Sequence, residues 1–185
     1  MGLAKEKERF NYSDYCTWKD DERWELIDGE PYMMAPGPSQ VHQEKGGELH
    51  RQIANFLKDK PCKVFSAPFD VRLNADTYDD IVVQPDLLVV CDTGKLDGRC
   101  CVGAPDMIIE ILSASTARRD RFEKFRIYEK AGVREYWIVD PDNQTVQVHL
   151  LKDGVYDFNI YGADDHIPVN VLEGCGISLP EVFAE

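Results

Sequence analysis

Two short apolar segments that each carry one carboxylate constrain this chain more than any other feature of its sequence. Residues 82–90 are apolar on both sides of Asp86, and residues 107–112 are apolar on both sides of Glu110. Short runs that are apolar on both faces are typical of central strands buried on both sides. An unpaired ionised carboxylate is costly there, or its pKa shifts. We therefore expect a compensating cation, and a divalent metal ion such as Mg²⁺ or Mn²⁺ with oxygen ligands is the simplest one.

The rest of the pattern predicts a mixed β-sheet flanked by helices, in an α/β (α+β) fold. A hairpin is expected at residues 24–34, helices at 40–58 and 118–131, and an irregular tail at 167–183. The further expected strands lie at residues 63–66, 69–73, 135–140, 145–151 and 155–161. Runs of strands interrupted by two helices favour one layered domain.

Length and composition place the chain among ordinary globular proteins. Its 185 residues suffice for a single domain, residues 1–185, with residues 1–10 as a flexible arm. No apolar stretch approaches the roughly 18 residues of a membrane span, and the charged N-terminus lacks a secretory core. We therefore expect a cytoplasmic protein with no membrane partner.

The six cysteines contain no C-x-x-C pair, which argues against a zinc knuckle. Reduced thiols, some of them filling the core, are the simplest expectation for a cytoplasmic chain. Adjacent Cys100 and Cys101 leave a soft-metal or redox-sensing role open.

The formal net charge of −13 argues against broad, sequence-independent DNA binding, which depends on neutralising phosphates with Lys and Arg. It does not exclude a nucleic-acid enzyme that has a small basic patch and a bound divalent metal.

The two predicted helices supply the other candidate site residues. In the helix at 40–58 the inward stripe is His42, Gly46, Leu49, Ile53 and Phe56. His42 and, nearer the edge of that stripe, Glu48 are possible auxiliary residues. In the helix at 118–131 the expected inward residues are Phe122, Phe125 and Tyr128, with Lys124 on their flank as the cation near a scissile phosphate.

Each candidate also has a purely structural interpretation. Asp86 and Glu110 could be strand-end residues exposed to water. Lys124 could pair with Asp120 on a solvated helix face, since the two are four residues apart. His42 could be a hydrogen-bonded core histidine, and Glu48 a solvated surface residue.

A longer string of residues is similar to a known family. Pro85-Asp86 followed by Glu110-Ile111-Leu112 resembles the P-D…(D/E)-x-K signature of restriction-endonuclease-like nucleases. The wider string resembles the bacterial Uma-two (Uma2) family of predicted endonucleases over roughly residues 12–151. It comprises residues 25–30, 34–36, His42, 84–86, 110–116, Asp120, Lys124 and 128–141.

The resemblance implies a restriction-endonuclease-like core, with Asp86 and Glu110 as metal ligands. Leu112 stands where the superfamily signature has its lysine, and Lys124 on the following helix is the implied replacement. Relatives with this fold often act as dimers, and the apolar hairpin that contains Trp24 and Met33 is a candidate interface.

Three hypotheses follow. The first is a Mg²⁺-dependent endonuclease that hydrolyses DNA, with Asp86, Glu110 and Lys124 as catalytic residues. The second is a catalytically silent nucleic-acid or protein interaction module on the same fold, which the net charge and Leu112 favour. The third is a metal-dependent hydrolase of a small phosphorylated molecule.

Overall fold

The structure, a computed structural model, describes residues 9–18, 22–34 and 37–184. The described α-helices are α1 (Tyr12–Tyr15), α2 (Gln40–Leu57), α3 (Ala117–Arg119), α4 (Phe125–Ala131) and α5 (Leu179–Val182). A 3₁₀ turn spans Thr93–Lys95, and a π-helical turn, Asp120–Lys124, joins α3 to α4. The described strands are β1 (Trp24–Ile27), β2 (Glu30–Met33), β3 (Lys63–Ser66), β4 (Asp70–Arg72), β5 (Val82–Val83), β6 (Leu87–Val90), β7 (Cys100–Val102), β8 (Met107–Ile111), β9 (Glu135–Asp140), β10 (Thr145–Lys152), β11 (Val155–Gly162), β12 (His166–Pro168) and β13 (Gly176–Ser178).

The central sheet is mixed and has six strands in the order β11-β10-β9-β8-β6-β3. Strands β8 and β9 are parallel, and the other neighbours are antiparallel. Helix α2 and the C-terminal segment pack on one face, whereas α4 packs on the other. The expected mixed sheet flanked by helices is therefore confirmed, and β8, the strand of Glu110, lies at its centre.

A second, five-stranded sheet, in the order β2-β1-β5-β4-β7, packs beside the first. The predicted hairpin forms β1 and β2, and Asp28 and Gly29 turn the chain with positive φ angles of 50° and 75°. The apolar run at residues 82–90, predicted as one strand, divides between the two sheets. Val82–Val83 pairs with β1 and β4 in the second sheet, while Leu87–Val90 pairs with β8 and β3 in the central sheet. Pro85 lies where the run divides. Because proline has no backbone N–H, it cannot donate a hydrogen bond to a neighbouring strand, and the strand is interrupted there.

Helix α2 begins directly after Ser39, whose side chain caps it by accepting a hydrogen bond from the His42 backbone N–H. Its fully buried residues are Leu49, Ile53 and Leu57, and Phe56, expected on the inward stripe, is half-buried against the same core. A Cβ at Gly46 would lie 3.2 Å from Ile111 Cδ1, which explains why α2 has no side chain where it crosses β8.

The C-terminal tail is more regular than expected. Strands β12 and β13 form a small antiparallel ribbon, and α5 follows it directly. Ile167, Ile177 and Leu179 are fully buried in the core that contains Leu49 and Trp137. The tail therefore closes one face of the central sheet.

The expectation of reduced thiols was wrong for two cysteines, because Cys62 and Cys91 form a disulfide. The antiparallel pairing of Lys63 with Val90 places these cysteines opposite each other at the next position of the β3–β6 ladder. Cys100, Cys101 and Cys175 are buried free thiols, as expected of core-filling residues.

The structure describes the predicted N-terminal arm only from residue 9 onwards. Residues 1–8 of the predicted arm lie outside the described residues, and Phe10 N–H donates to the Gly29 carbonyl at 3.0 Å. Within the described ranges, no helix is long and apolar enough to cross a lipid bilayer. The single domain and the homodimer stay predictions.

Candidate active site

Asp86 lies at the junction of the two sheets, one residue before β6. The register that pairs Leu87 with Ile109 places Asp86 beside Glu110. Asp86 Oδ2 accepts a hydrogen bond from the Ile111 backbone N–H at 2.7 Å and lies 3.1 Å from His42 Nε2. The Asp86 side chain is 22% exposed. Its carboxylate is thus fixed by β8 and α2 but remains accessible to a ligand.

Glu110 is a buried carboxylate in the middle of β8, with 3% of its surface exposed. Its Oε1 accepts hydrogen bonds from Lys124 Nζ at 2.9 Å and from the Tyr128 hydroxyl at 2.7 Å. The ammonium predicted near the two carboxylates therefore makes direct contact with one of them.

Lys124 connects the two sheets. Its Nζ lies 2.8 Å from Oε1 of Glu25 on β1, 2.9 Å from Oε1 of Glu110 on β8, and 3.8 Å from Asp120 Oδ1. Glu25 Oε1 also accepts a hydrogen bond from the Gln84 backbone N–H. Lys124 is only 4% exposed, so the interpretation of a solvated Lys124–Asp120 pair was wrong. The ammonium belongs to a buried network of three carboxylates.

The π-helical turn Asp120–Lys124 gives the lysine this position. A π turn has a wider hydrogen-bonding ring than an α-helix, and such turns are frequent at functional sites. Here Asp120 and Lys124 face inward, while Phe122 is 61% exposed, so the expected inward position of Phe122 was wrong. The buried Tyr136 hydroxyl donates to the Asp120 backbone carbonyl at 3.0 Å and holds the turn against β9.

The buried network contains more negative than positive charge. Burial raises the pKa of Glu110 well above its ordinary value, although the nearby Lys124 ammonium lowers it. Burial likewise raises the pKa of Asp120. For Lys124 burial lowers the pKa, but Glu110, Glu25 and Asp120 together outweigh burial and the pKa is raised. The site therefore favours an additional positive charge, either a proton or a cation.

The buried network adjoins a larger groove on the surface. A cavity of about 60 Å³ is lined by Glu25, Glu110, Asp120 and Lys124, together with Asp86 and His42. A groove of about 700 Å³ is lined by one side of α2 and by the loops that follow β3 and β8. His42, Asp86 and Thr116 line both spaces, so a ligand in the groove lies against the carboxylates.

The sequence of this chain matches a known protein family over most of its length. The sequence profile of the family described as "Uma2: Putative restriction endonuclease" matches residues 11–180, which is nearly the whole chain. The chain belongs to the Uma2 family. The resemblance inferred from the sequence is thereby confirmed.

Individual proteins are similar to most of this chain. The uncharacterized protein slr1290 of Synechocystis sp. is 26% identical over 170 residues, covering 89% of this chain and 85% of that protein. The uncharacterized protein sll1609 of the same organism is 29% identical over 139 residues, covering 72% and 74%. A crystal structure from Anabaena variabilis, described as a putative nuclease belonging to DUF820, superimposes with a TM-score of 0.76 at 20% identity. It covers 94% of this chain and 97% of that one, which supports the restriction-endonuclease-like fold.

The structure brings four of the five predicted site residues together: Asp86, Glu110, Lys124 and His42 line the small cavity. Glu48 points elsewhere. Its carboxylate accepts hydrogen bonds from Arg51 and Gln52, and Arg51 also pairs with Glu181. No contact among the described residues joins Glu48 to Asp86 or Glu110.

Glu25 and Asp120 were missed as site residues, although both occur in the Uma2-like string. A glutamate that begins an apolar Glu-Leu-Ile run has the same signal as Glu110, namely a charge inside a short apolar segment. Glu25 is 1% exposed, so this signal was sufficient to indicate burial. The contact of Glu25 with Lys124 on the π-helical turn could not be inferred from the spacing of residues in the sequence.

The side chains fit a hard divalent cation by their chemistry. The described residues contain no group of three or more His, Cys, Asp or Glu side chains placed to hold a metal ion. Mg²⁺, however, is usually held by only one or two carboxylates, together with waters and substrate phosphates. The accessible Asp86 carboxylate and the Glu110 side chain beside it provide such a pair.

Proposed function

We propose that this chain is a Mg²⁺-dependent endonuclease that hydrolyses phosphodiester bonds in DNA. The observation that carries the proposal is the meeting of Asp86, Glu110 and Lys124 at the base of one open groove. Membership in a family described as putative restriction endonucleases supports a nucleic acid as the substrate class.

Asp86 and Glu110 would hold the metal ion, with Mn²⁺ as an alternative to Mg²⁺. A bound divalent ion activates water and stabilises the charge that develops on the phosphate. The Ile111 N–H and His42 fix the Asp86 carboxylate, so little reorganisation is needed when a cation binds. His42 thus acts as an auxiliary positioning residue, whereas Glu48, by its contacts, is the weaker auxiliary candidate.

Lys124 supplies the positive charge near the scissile phosphate. An ammonium has three donors, and the short contacts with Glu25 and Glu110 use two of them. In the proposed mechanism the third donor, which lies 3.8 Å from Asp120 Oδ1, turns towards a phosphate oxygen that reaches the small cavity lined by Lys124. Because Glu25 and Glu110 hold the lysine from two different sheets, its position is fixed before substrate binds, which favours stabilisation of the transition state.

A catalytically silent interaction module is the second candidate. The observation that favours it is the enclosure of Lys124 among three carboxylates, which leaves that ammonium little charge for a phosphate. The formal net charge of −13 points the same way. This alternative predicts no metal-dependent cleavage of any nucleic acid.

The test combines cleavage with thermal unfolding for wild type, Asp86→Asn and the exposed control Asp142→Asn. We expect millimolar Mg²⁺ or Mn²⁺ to raise the melting temperature of wild type and of Asp142→Asn but not of Asp86→Asn, since a ligand of the native state stabilises it. Cleavage of plasmid and oligonucleotide DNA should follow the same pattern. Cleavage that survives in Asp86→Asn would overturn the site, and no cleavage by wild type would favour the silent module.

A further inference from the structure

We propose that the groove beside Asp86 binds an unpaired nucleic-acid strand rather than an intact duplex. This inference rests on the proposed nuclease function and names the strand state that its site accepts. Three independent features of the groove carry it: the depth of the buried network, the apolar surface of the walls, and the scarcity of free positive charge.

Depth is the first feature. Glu110 and Lys124 are 3% and 4% exposed, and the cavity that they line is only about 60 Å³. Of the carboxylates that line this cavity, Asp86 also lines the groove, and its side chain is 22% exposed. A double helix is stiff and holds its phosphates on a convex surface, so it approaches a recessed site less readily than a flexible strand does. A flexible single strand can present one phosphate to it.

The walls of the groove are the second feature. Apolar surface comes from Met34, Pro38 and Pro68, which belong to separate segments, while the buried Leu87 and Ile111 lie beneath them. Between them lie hydroxyl groups of Ser39, Ser66, Ser113, Ser115 and Thr116. Apolar surface suits the face of a base, which in a duplex is covered by its stacked neighbours. Hydroxyl groups suit the sugar and phosphate of the same nucleotide.

Charge is the third feature. Arg51 is engaged with Glu48 and Glu181, and His42 contacts Asp86. Arg23 donates twice to the neutral Gln84 side chain, so its charge remains available. A duplex-binding surface commonly neutralises 6–10 phosphates. The described groove residues can serve one or two, which is sufficient for a short strand held mainly by non-ionic contacts.

The face of α2 at Gly47 provides a way to close the groove without touching the carboxylates. Gly47 lines the groove, and a Cβ added there meets nothing within 4 Å. Gly47→Trp therefore places an indole in the space that a strand would occupy, and circular dichroism with a thermal melt checks that the variant is folded. Asn55→Trp adds the same side chain at an exposed position of α2 outside the groove and is the matched control.

The experiment measures fluorescence anisotropy of a labelled 12-nucleotide strand, alone and in a blunt duplex, with wild-type protein in EDTA. We expect the single strand to bind at least tenfold more tightly than the duplex, which is about 1.4 kcal/mol. Gly47→Trp should weaken single-strand binding at least tenfold, and Asn55→Trp should leave it unchanged.

Other outcomes overturn the inference. Equal or tighter binding of the duplex, no single-strand binding, or insensitivity to Gly47→Trp would each do so. A dinucleotide that competes as strongly as the 12-mer would show a site for small nucleotides instead. Cleavage is measured separately in Mg²⁺. Single-strand binding that is lost in Gly47→Trp, with no cleavage of any DNA, would sustain the groove assignment and overturn only the nuclease function.

Discussion

Lys124 Nζ lies 2.9 Å from Glu110 Oε1, although 14 residues separate them and they belong to a helical turn and a strand. In the superfamily signature the lysine is two residues after the acid, which places both on the same face of a strand. Here Leu112 takes that position and packs into the core beneath α4. The Lys124 ammonium reaches the Glu110 carboxylate from the helical turn above, while an apolar residue occupies the position that the signature gives to lysine.

Replacing Lys124 should destabilise the fold strongly. Lys124→Met leaves Glu110 and Asp120 buried without their cation and Glu25 with Arg119 alone, at 3.8 Å. We expect a loss of about 3–5 kcal/mol in the free energy of unfolding at pH 7. The loss should shrink at lower pH as the carboxyl groups take up protons. Urea denaturation at pH 5 and pH 7.5 measures it, with the exposed Lys152→Met as control. A loss below 1 kcal/mol would contradict the ion network.

Tyr136 should hold the π-helical turn. Tyr136→Phe removes the hydrogen bond that the buried hydroxyl donates to the Asp120 carbonyl, which should cost about 0.5–1.5 kcal/mol. Tyr156→Phe is the matched control, because the Tyr156 hydroxyl donates to the Val133 carbonyl at 2.8 Å, away from Lys124. We expect similar losses of stability in both variants but a lower kcat only in Tyr136→Phe. Equal kcat values would show that the turn does not position Lys124.

His149 should make the fold sensitive to acid. Neither ring nitrogen has a hydrogen-bond partner among the described residues, and burial lowers the pKa of His149 from 6.5 to about 4. The ring lies among Phe125, Tyr136, Tyr156 and Phe158, and Glu129 is the charged group that opposes the shift.

The unfolded chain therefore binds more protons than the folded chain between pH 6.5 and about 4. The stability that neutral His149 contributes is fully present above pH 6.5 and is lost as the pH falls towards 4, by up to about 3 kcal/mol. His149→Leu should remove this component. The difference in unfolding free energy between variant and wild type, measured at pH 7 and pH 5, should favour the variant more at pH 5. A constant difference would refute the assignment.

The two adjacent glycines of α2 should respond differently to alanine. Gly47→Ala meets open space and should stabilise by about 0.5–1 kcal/mol, because alanine loses less backbone entropy in a helix. Gly46→Ala places a Cβ 3.2 Å from Ile111 Cδ1, in the residue whose N–H binds Asp86, and should gain nothing. Thermal melts of the two variants decide this, and equal stabilisation would show that Ile111 moves freely.

The sequence by itself determined the central strands, the hairpin, helix α2, the family and the pair of carboxylates. Charges inside short apolar segments are visible without coordinates, because burial of a carboxylate needs a partner wherever the strand lies. That signal identified Asp86 and Glu110 and was equally present at Glu25.

Only the tertiary structure decided which groups surround those carboxylates. Helical spacing placed Phe122 inward and Lys124 at the edge, but the π-helical turn reversed them, and Tyr136, from a distant strand, stabilises that turn. The division of residues 82–90 between two sheets brought Glu25 to Lys124. These relationships depend on contacts between segments far apart in the chain, and local periodicity carries no information about such contacts.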